Sequence, residues 1–357
     1  MKPHFYNIGV ASVKAETKDS VCIEFDIPDN LKEAFAYRQG QYITLKTEIN
    51  GEEVRRTYSL CSSPLEGNWQ VGIKKVPGGV FSTWACQSLK AGDTIEAMPP
   101  MGRFYTALQP AEQKHYVAFA AGSGITPVLS IIKTVLAAEP QSRFTLIYGN
   151  QSRSTIMFRE SLEALKNKYL HRLQIHHIFS REKTDAEINY GRIDAERCTL
   201  LLEKLVGSQP VSDYFLCGPQ AMIETVQQCL QARGVPEEKV HFELFSTGKG
   251  HQTRSGTISK TAENSSRITI RHDGVETSFD LATDSHPILD AALHEGLELP
   301  YACKGGMCCT CKAKLVEGEV EMEVHYGLEP DEIAAGYILT CQAHPLTPQV
   351  VVDFDDR

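Results

Sequence analysis

The sequence lacks the patterns that mark secreted and membrane-spanning proteins. Its opening, MKPHFYNIGV, does not combine a basic end, an apolar core and a small cleavage site, as a signal peptide does. The weakly charged run 116–138 contains one charged residue, Lys133, but glycines and a proline interrupt it. Because a membrane span needs about 20 apolar residues, a buried strand, a turn and a helix explain this run better. We therefore predict a cytoplasmic protein that does not associate with a membrane.

Basic residues are scarce in the last part of the chain. Residues 261–357 contain 18 Asp and Glu against 6 Lys and Arg, a net charge of −12, whereas residues 1–260 contain 27 against 30, a net charge of +3. This acidity argues against nucleic-acid binding, which depends on neutralising phosphates. An acidic surface can steer a basic protein partner, and solubility alone is the alternative explanation.

The chain divides into three segments with different hydrophobic patterns, so we predict a multidomain fold. Residues 1–108 alternate strand-like runs with Gly and Pro turns, which is typical of an antiparallel β-barrel domain. Residues 109–247 alternate short apolar runs with helical stretches, which predicts an α/β domain with a parallel sheet. Residues 248–264 form a polar, Gly- and Ser-rich linker. A third domain, 265–357, starts with a hairpin across Asp-Gly and the helix PILDAALHEGL.

Cysteine is abundant, and the spacing of four of the eleven cysteines is typical of metal ligands. In a cytoplasmic protein, thiols stay reduced and disulfides are rare. Cys303, Cys308 and Cys311 follow C-x4-C-x2-C, and Cys341 stands far beyond them. This is the plant-type [2Fe–2S] pattern, whereas a structural zinc ion, the alternative, usually takes two separate two-thiolate knuckles. Cys309 is out of register, and we expect it not to be a ligand. The last hundred residues resemble a plant-type ferredoxin, which implies the β-grasp fold.

Two motifs in the first segment suit a flavin. RRTYSL contains R-x-Y-S at Arg56, Tyr58 and Ser59, and GGVFSTW follows later. An Arg fork and hydroxyl or backbone donors suit a pyrophosphate, and an aromatic ring suits the flavin ring. Together they resemble the flavin domain of the ferredoxin–NADP reductase superfamily. The resemblance implies that Arg56 binds phosphate, Tyr58 contacts the flavin and Ser59 lies near its N5. It also implies that four residues cover the pyrophosphate: Gly79, Val80, Ser82 and Thr83. FAD is the expected flavin, although some relatives with this motif use FMN.

The second segment contains a candidate nucleotide loop, AAGSGITP. Gly122 and Gly124 permit a tight turn and the close approach of a pyrophosphate to a helix N-terminus. The third glycine of the common dinucleotide fingerprint is absent, and Pro127 suits a first helical turn. With Thr126, this G-x-G-x-T-P resembles the pyridine-nucleotide loop of the same superfamily. A second mark is CGP, in which the resemblance makes Cys217 and Gly218 cofactor-binding residues and puts Cys217 beside the nicotinamide. A buried strand-end thiol is the structural alternative for Cys217.

The electron donor is predicted to be NADPH rather than NADH. A 2′-phosphate needs a cation and hydroxyls near the end of the second strand. FSRE offers Ser180 and Arg181 there and resembles the 2′-phosphate site of NADPH-using relatives, with Arg153 as a further candidate contact. In relatives, a carboxylate and an aromatic residue near the end of this domain lie against the flavin–nicotinamide contact. The matching residues in HFELFSTG are Glu243 and Phe245.

The order flavin, nicotinamide, ferredoxin resembles the reductase components of bacterial multicomponent oxygenases. The resemblance implies hydride transfer from NADPH to FAD, with Ser59, Cys217 and Glu243 at the reaction, and single-electron transfer through the cluster to an oxygenase partner. The segment YGLEPDEIAAGYILTCQAHPLTPQVVVDFDD further resembles reductase subunits of ring-1,2-phenylacetyl-CoA epoxidases, which serve aerobic phenylacetate degradation. Alternatives within this class are reductases of ring-hydroxylating dioxygenases, steroid hydroxylases or acyl desaturases. From other classes, a flavin/iron–sulfur redox sensor and a zinc-containing flavoreductase remain. Neither H-E-x-x-H nor G-x-S-x-G occurs, which disfavours a hydrolase.

Overall fold

The computed structural model describes residues 4–245, 265–282 and 286–356. Internal contacts group the chain into two compact units, one made of residues 1–54 and 58–245 and the other of 55–57 and 246–357. The predicted linker, 248–264, lies outside the described residues. Within the described parts of the chain, no helix is both long enough and apolar enough to cross a membrane.

The first sheet has six antiparallel strands in the order β4-β3-β6-β1-β2-β5. Directly after β4, Leu60 bridges to Val71 of β5, so the two edge strands of the sheet meet. This confirms the predicted antiparallel barrel. The barrel elements are β1 (Tyr6–Thr17), β2 (Ser20–Asp26), β3 (Tyr42–Ile49), β4 (Glu52–Ser59), β5 (Trp69–Lys74), α1 (Val80–Gln87) and β6 (Thr94–Met101).

The second sheet is parallel and confirms the predicted α/β domain. Its strand order is β11-β10-β7-β8-β9, so the chain order reverses between β7 and β10. Ligands of such sheets bind beyond the carboxyl ends of the strands at this reversal. The strands are β7 (His115–Ala121), β8 (Arg143–Asn150), β9 (Leu173–Phe179), β10 (Asp213–Gly218) and β11 (Val240–Leu244). The helices are α2 (Ile125–Ala138), α3 (Arg159–Lys168), α4 (Ala195–Leu201) and α5 (Gln220–Ala232).

Helix α3 begins later than its sequence predicts. The run TIMFRESLEALKNKY favours a helix from Thr155, but α3 starts at Arg159 because Phe158 adopts a left-handed conformation with φ +56°. Such a conformation is unusual for a bulky residue. The Phe158 N–H donates to Oε2 of Glu16 on β1 at 3.0 Å. A tertiary contact between the barrel and the nucleotide domain therefore sets the start of this helix.

The barrel and the nucleotide domain pack closely within the first unit. A Cβ on Gly72 of β5 would lie 2.7 Å from both the Phe158 ring and the Thr126 methyl group, so only glycine fits there. The Ser130 hydroxyl on α2 donates to the carbonyl of Ser62 at 2.6 Å. These contacts hold the first two turns of α2 against the barrel, and so fix the position of the candidate nucleotide loop relative to the barrel.

The third sheet belongs to the second unit and has the order β13-β12-β18-β14-β16, with β12 and β18 parallel. The predicted hairpin is confirmed: Asp273 and Gly274 both have positive φ and turn the chain between β12 and β13. The elements are β12 (Ser265–His272), β13 (Val275–Ala282), α6 (Ile288–His294), β14 (Lys312–Glu317), β15 (Val320–Met322), α7 (Pro330–Ala334), β16 (Tyr337–Leu339), β17 (Ala343–Pro345) and β18 (Gln349–Asp353).

Candidate functional site

The turn between β7 and α2 needs glycine because it runs close to the end of β10. A Cβ on Gly124 would lie 2.1 Å from the carbonyl oxygen of Cys217. Gly122 has φ +55°, and a Cβ there would meet no atom within 4 Å, so space remains beside the turn. Thr126 and Pro127 lie in the first turn of α2, which has no side-chain cap. The Ile125 N–H already bonds to the carbonyls of Gly122 and Ser123, and Pro127 has no N–H. The positive end of the α2 dipole beside the open turn is therefore what suits a phosphate.

Three predicted catalytic residues meet where the barrel joins the nucleotide domain. Ser59 ends β4 and is 3% exposed, and its hydroxyl donates to Oε2 of Glu243 at 2.7 Å. Glu243 lies on β11 directly beside Cys217 of β10 in the parallel register. The first unit thus brings together a hydroxyl, a carboxyl group and a thiol from three separate strands.

Burial shifts the pKa values of the carboxyl and thiol groups at this junction toward their uncharged forms. Burial raises the pKa of Glu243 to about 7, although the hydrogen bond from Ser59 opposes the shift. Burial raises the pKa of the Cys217 thiol well above its ordinary value, and the neighbouring Glu243 carboxylate adds to the shift. Near neutral pH the thiol is therefore protonated, while Glu243 titrates. A neutral thiol and a carboxyl group that is partly protonated at this pH suit hydride transfer, which places new negative charge on the acceptor.

The flavin motif lies on β4 and at the start of α1. Arg56 is exposed two residues before Tyr58, whose ring lies 5.4 Å from that of Phe81 on α1. The Ser82 hydroxyl accepts the N–H of Val76 at 3.1 Å and lies 3.4 Å from the carbonyl of Gly79. Ser82 therefore shapes the loop, and its contact with a pyrophosphate stays a prediction, like the phosphate contact of Arg56.

The start of α1 fits a phosphate group. Gly79 is the N-cap residue and supplies no side-chain hydrogen bond, so the N–H groups of the first turn lack a capping partner. A Cβ on Gly79 would lie 2.5 Å from Ser82 Oγ, which explains the glycine. Val80 and Thr83 belong to the same turn. This uncapped turn and the buried hydroxyl of Ser59 make the barrel compatible with a bound FAD.

The predicted 2′-phosphate residues follow β9. The N–H groups of Ser180 and Arg181 donate to the carbonyls of Asn150 and Gln151, each at 2.9 Å, which fixes this loop at the carboxyl edge of the sheet. Arg153 is paired with Glu182, whose carboxylate lies 3.5 Å from the Arg153 guanidinium. No carboxylate of the described residues pairs with Arg181, which is exposed. Arg181 is therefore better placed than Arg153 to bind a phosphate.

Two residues complete this part of the site. Phe245, the last residue described before the linker, packs against the core of the nucleotide domain. Gly72, which sequence reasoning missed, brings β5 of the barrel against the first turn of α2. A glycine in the interior of the strand WQVGIK signals such a close approach.

The cysteine loop in the second unit holds its sulfurs in two pairs. Cys308 Sγ lies 3.2 Å from Cys303 Sγ. The neighbouring Cys341 side chain and burial together raise the pKa of the Cys311 thiol well above its ordinary value, so these two cysteines lie near each other. The loop needs glycine at Gly306, which has φ +70°, because a Cβ there would lie 2.6 Å from a methyl carbon of Val324. The structure thus brings together all four predicted metal ligands.

The geometry of the sulfurs favours two metal ions over one. A single tetrahedral ion with bonds of about 2.3 Å would place all four sulfurs within about 3.8 Å of one another. Among the described residues, no three of these sulfurs lie mutually within 4.8 Å. The Cys303 sulfur accepts the N–H groups of Gly305 and Cys308 at 3.3 and 3.4 Å. Hydrogen bonds from the Cys308 thiol and these N–H groups lower the pKa of Cys303 to about 6, which favours a thiolate ligand. The residues therefore fit a [2Fe–2S] cluster, and Cys309 as a non-ligand stays a prediction.

Comparison with protein-family models matches each of the three sheets. An oxidoreductase FAD-binding domain matches residues 7–105, an oxidoreductase NAD-binding domain matches 119–228, and a 2Fe-2S iron-sulfur cluster binding domain matches 270–346. The third match includes all four predicted cluster ligands. These matches confirm the FAD, the pyridine nucleotide and the [2Fe–2S] cluster as the cofactors of this chain.

Similar proteins span nearly the whole chain. The sequence is 47% identical over 353 residues to a subunit of the 1,2-phenylacetyl-CoA epoxidase of Escherichia coli (strain K12), covering 99% of this chain and 98% of that protein. It is 34% identical over 354 residues to the 3-ketosteroid-9-alpha-monooxygenase ferredoxin reductase component of Rhodococcus rhodochrous, covering 97% and 95%. The solved structure of phthalate dioxygenase reductase superposes with a TM-score of 0.60 at 24% identity, covering 98% of each chain. That likeness confirms the three-part fold.

Proposed function

Because the chain belongs to the family of reductases that combine FAD, a pyridine-nucleotide domain and a [2Fe–2S] ferredoxin domain, we propose that it is the NADPH-oxidising component of a multicomponent oxygenase. The contact between Ser59 and Glu243 beside Cys217 is the observation that carries this proposal. It joins the end of a flavin-barrel strand to the carboxyl edge of the nucleotide sheet. A hydride donor and a flavin acceptor must meet at such a junction.

The side chains at this junction have separate roles in the proposal. When bound, FAD accepts a hydride from NADPH and releases electrons singly, which the cluster can carry. With the cofactors bound, the Ser59 hydroxyl, which donates to Glu243, would lie near the flavin N5, and the neutral Cys217 thiol would lie beside the nicotinamide. Phe245 lies at the same end of the domain. The thiolates of Cys303, Cys308, Cys311 and Cys341 hold the cluster.

The remaining binding residues hold the phosphates of the two cofactors. On the flavin side, Arg56 and the uncapped first turn of α1 bind the pyrophosphate, and Tyr58 contacts the ring. On the nucleotide side, the turn Gly122–Gly124 and the start of α2 bind the pyrophosphate of NADPH. Ser180 and Arg181 select the 2′-phosphate, because a guanidinium and a hydroxyl are good donors to phosphate oxygens.

The electron acceptor in this proposal is the oxygenase of a phenylacetyl-CoA epoxidase. Its support is the 47% identity with the epoxidase subunit of Escherichia coli across 99% of this chain. The ferredoxin segment, with its net charge of −12 over residues 261–357, would favour docking to a partner that presents a basic surface. We also propose that the protein acts in the cytoplasm, where the thiols of the four cluster cysteines stay reduced.

Reconstitution with candidate oxygenase components tests this function. The purified protein, loaded with FAD and iron, is mixed with NADPH and the catalytic subunits of a phenylacetyl-CoA epoxidase. We expect NADPH oxidation that depends on phenylacetyl-CoA and yields the epoxide. The matched arms contain a 3-ketosteroid monooxygenase or a phthalate dioxygenase with its own substrate. Faster coupling in either of those arms, or no product in the first, would overturn the assignment of the partner.

A further inference from the structure

A buried tyrosine supports the nucleotide loop from the neighbouring strand. Tyr148 lies on β8 and is 0% exposed. Its hydroxyl donates to the carbonyl oxygen of Gly122 at 2.9 Å. Sequence reasoning treats Tyr148 as one more apolar residue of a buried strand, so this contact is visible only in the folded chain.

The carbonyl oxygen of Gly122 accepts the hydrogen bonds that set the shape of the loop. Gly122 has φ +55°, the one left-handed residue of the turn between β7 and α2. Its carbonyl also accepts the N–H of Ile125, which closes the turn. Holding this oxygen fixes the peptide plane between Gly122 and the next residue, and so directs the N–H groups that follow.

The loop is held from two sides. On one side, Gly124 packs against the Cys217 carbonyl so closely that a Cβ would lie 2.1 Å from that oxygen. On the other side, the only polar support from β8 among the described residues is the Tyr148 hydroxyl. Burial raises the pKa of Tyr148, so its hydroxyl stays protonated and remains a donor across the working pH range.

We propose that Tyr148 is a positioning residue for the pyridine nucleotide, whose hydroxyl holds the Gly122 carbonyl so that the loop is preorganised for the pyrophosphate. The proposal rests on the proposed nucleotide site at this loop. Tyr148 does not touch the nucleotide; it reduces the ordering that the loop must undergo on binding. Its loss should therefore weaken binding of the oxidised and the reduced nucleotide alike, with little effect on the rate at saturation.

Two tyrosine-to-phenylalanine variants distinguish a role in nucleotide binding from a contribution to the stability of the fold. Tyr148→Phe removes the hydroxyl that reaches the loop. Tyr116→Phe is the matched control, because Tyr116 is also 0% exposed, lies on the adjacent strand β7 and donates one hydrogen bond, to Glu139 Oε2 at 2.9 Å. Each variant loses a single buried hydroxyl group from the same sheet. For the flavin- and cluster-loaded full chain, the measurements are KM and kcat for NADPH with a dye acceptor, Kd for NADP+, and Tm.

We expect Tyr148→Phe to raise KM and Kd by roughly threefold to tenfold, the effect of one lost buried hydrogen bond, and to leave kcat within about twofold. Tyr116→Phe should lower Tm at least as much but leave KM and Kd unchanged. Unchanged binding in Tyr148→Phe, or an equal loss of binding in Tyr116→Phe, overturns the proposal. If the wild-type protein itself does not oxidise NADPH, the proposed function fails first, and the wild-type assay alone reveals this.

Discussion

The proposed cluster site and the proposed hydride site differ in how far apart their residues lie in the sequence. The proposed cluster site takes Cys303, Cys308 and Cys311 from one loop and adds Cys341. The proposed hydride site depends on a hydrogen bond between Ser59 and Glu243, which are 184 residues apart and belong to two domains. A local spacing is visible in the sequence, whereas a contact between domains exists only after folding. The first site should therefore fail when a ligand is lost, and the second when packing or charge changes.

The largest expected effect comes from a substitution that removes the cluster and leaves hydride transfer intact. Replacing Cys308 with Ser removes a thiolate ligand, so iron and acid-labile sulfide should fall to near zero. NADPH-dependent reduction of a dye that accepts electrons from the flavin should stay within about twofold of wild type, because the hydride site is separate. Metal analysis and stopped-flow dye reduction measure the two.

Cys309→Ser is the matched control for this experiment. It changes the adjacent thiol, which we predict not to be a ligand, and should leave the iron content unchanged. If Cys309→Ser loses the cluster as well, the ligand assignment is wrong. If Cys308→Ser abolishes both activities together, the two sites are not independent.

The second prediction concerns the charge of Glu243 at the proposed hydride site. Burial raises the pKa of Glu243 from 4.5 to about 7. Reduction of a flavin bound at the proposed site would add negative charge here, so an ionised Glu243 would oppose it. We expect the hydride-transfer rate to fall roughly tenfold as pH rises through 7. In Glu243→Gln this step should vanish, because the amide keeps the contact with Ser59 but carries no charge.

The same ionisation affects stability, which gives an independent measurement. Since the folded-state pKa of Glu243 lies above its ordinary value, its contribution to the free energy of unfolding is present below pH 4.5 and is lost as pH rises through 7. Denaturant unfolding of Glu243→Gln should lack this loss. Glu238→Gln, an equal charge change at an exposed position just before β11, should retain the wild-type profiles. A rate step near pH 7 that persists in Glu243→Gln would remove Glu243 from the reaction.

The last of these effects concerns the choice of nucleotide and leaves the reaction itself intact. Replacing Arg181 with Ala should raise KM for NADPH by roughly tenfold or more, the value of a charge-assisted hydrogen bond to phosphate. KM for NADH, which lacks the 2′-phosphate, should change by less than about twofold. Lys183→Ala, which removes an exposed positive charge two residues away, should leave both values unchanged. Equal losses for NADPH and NADH in Arg181→Ala would contradict the NADPH assignment.

Sequence reasoning succeeded where periodicity or spacing is local. The alternation of strands and helices predicted the barrel and the parallel sheet, and the hairpin across Asp273 and Gly274 followed from turn chemistry. The cysteine spacing predicted four ligands that the fold brings together. Each of these features is decided by neighbours in the chain, so the sequence contains the needed information.

It failed where a distant contact decides the outcome. Helix α3 begins at Arg159 rather than Thr155, because Phe158 is held in a left-handed conformation by Glu16 on β1. The support of Gly122 by Tyr148 and the approach of Gly72 to the nucleotide helix were missed for the same reason. A hydroxyl or a missing side chain has no periodicity, and its partner is known only once the strands are packed.

Anaerobic reduction by NADPH tests the central claim most directly. Protein containing FAD, iron and acid-labile sulfide is mixed with NADPH, and the same sample is followed by flavin absorbance and by electron paramagnetic resonance at low temperature. We predict that the flavin absorbance falls and that the signal of a reduced [2Fe–2S] cluster appears. A bleached flavin beside a cluster that stays oxidised and silent would contradict an electron path from the nucleotide through FAD to the four-cysteine centre.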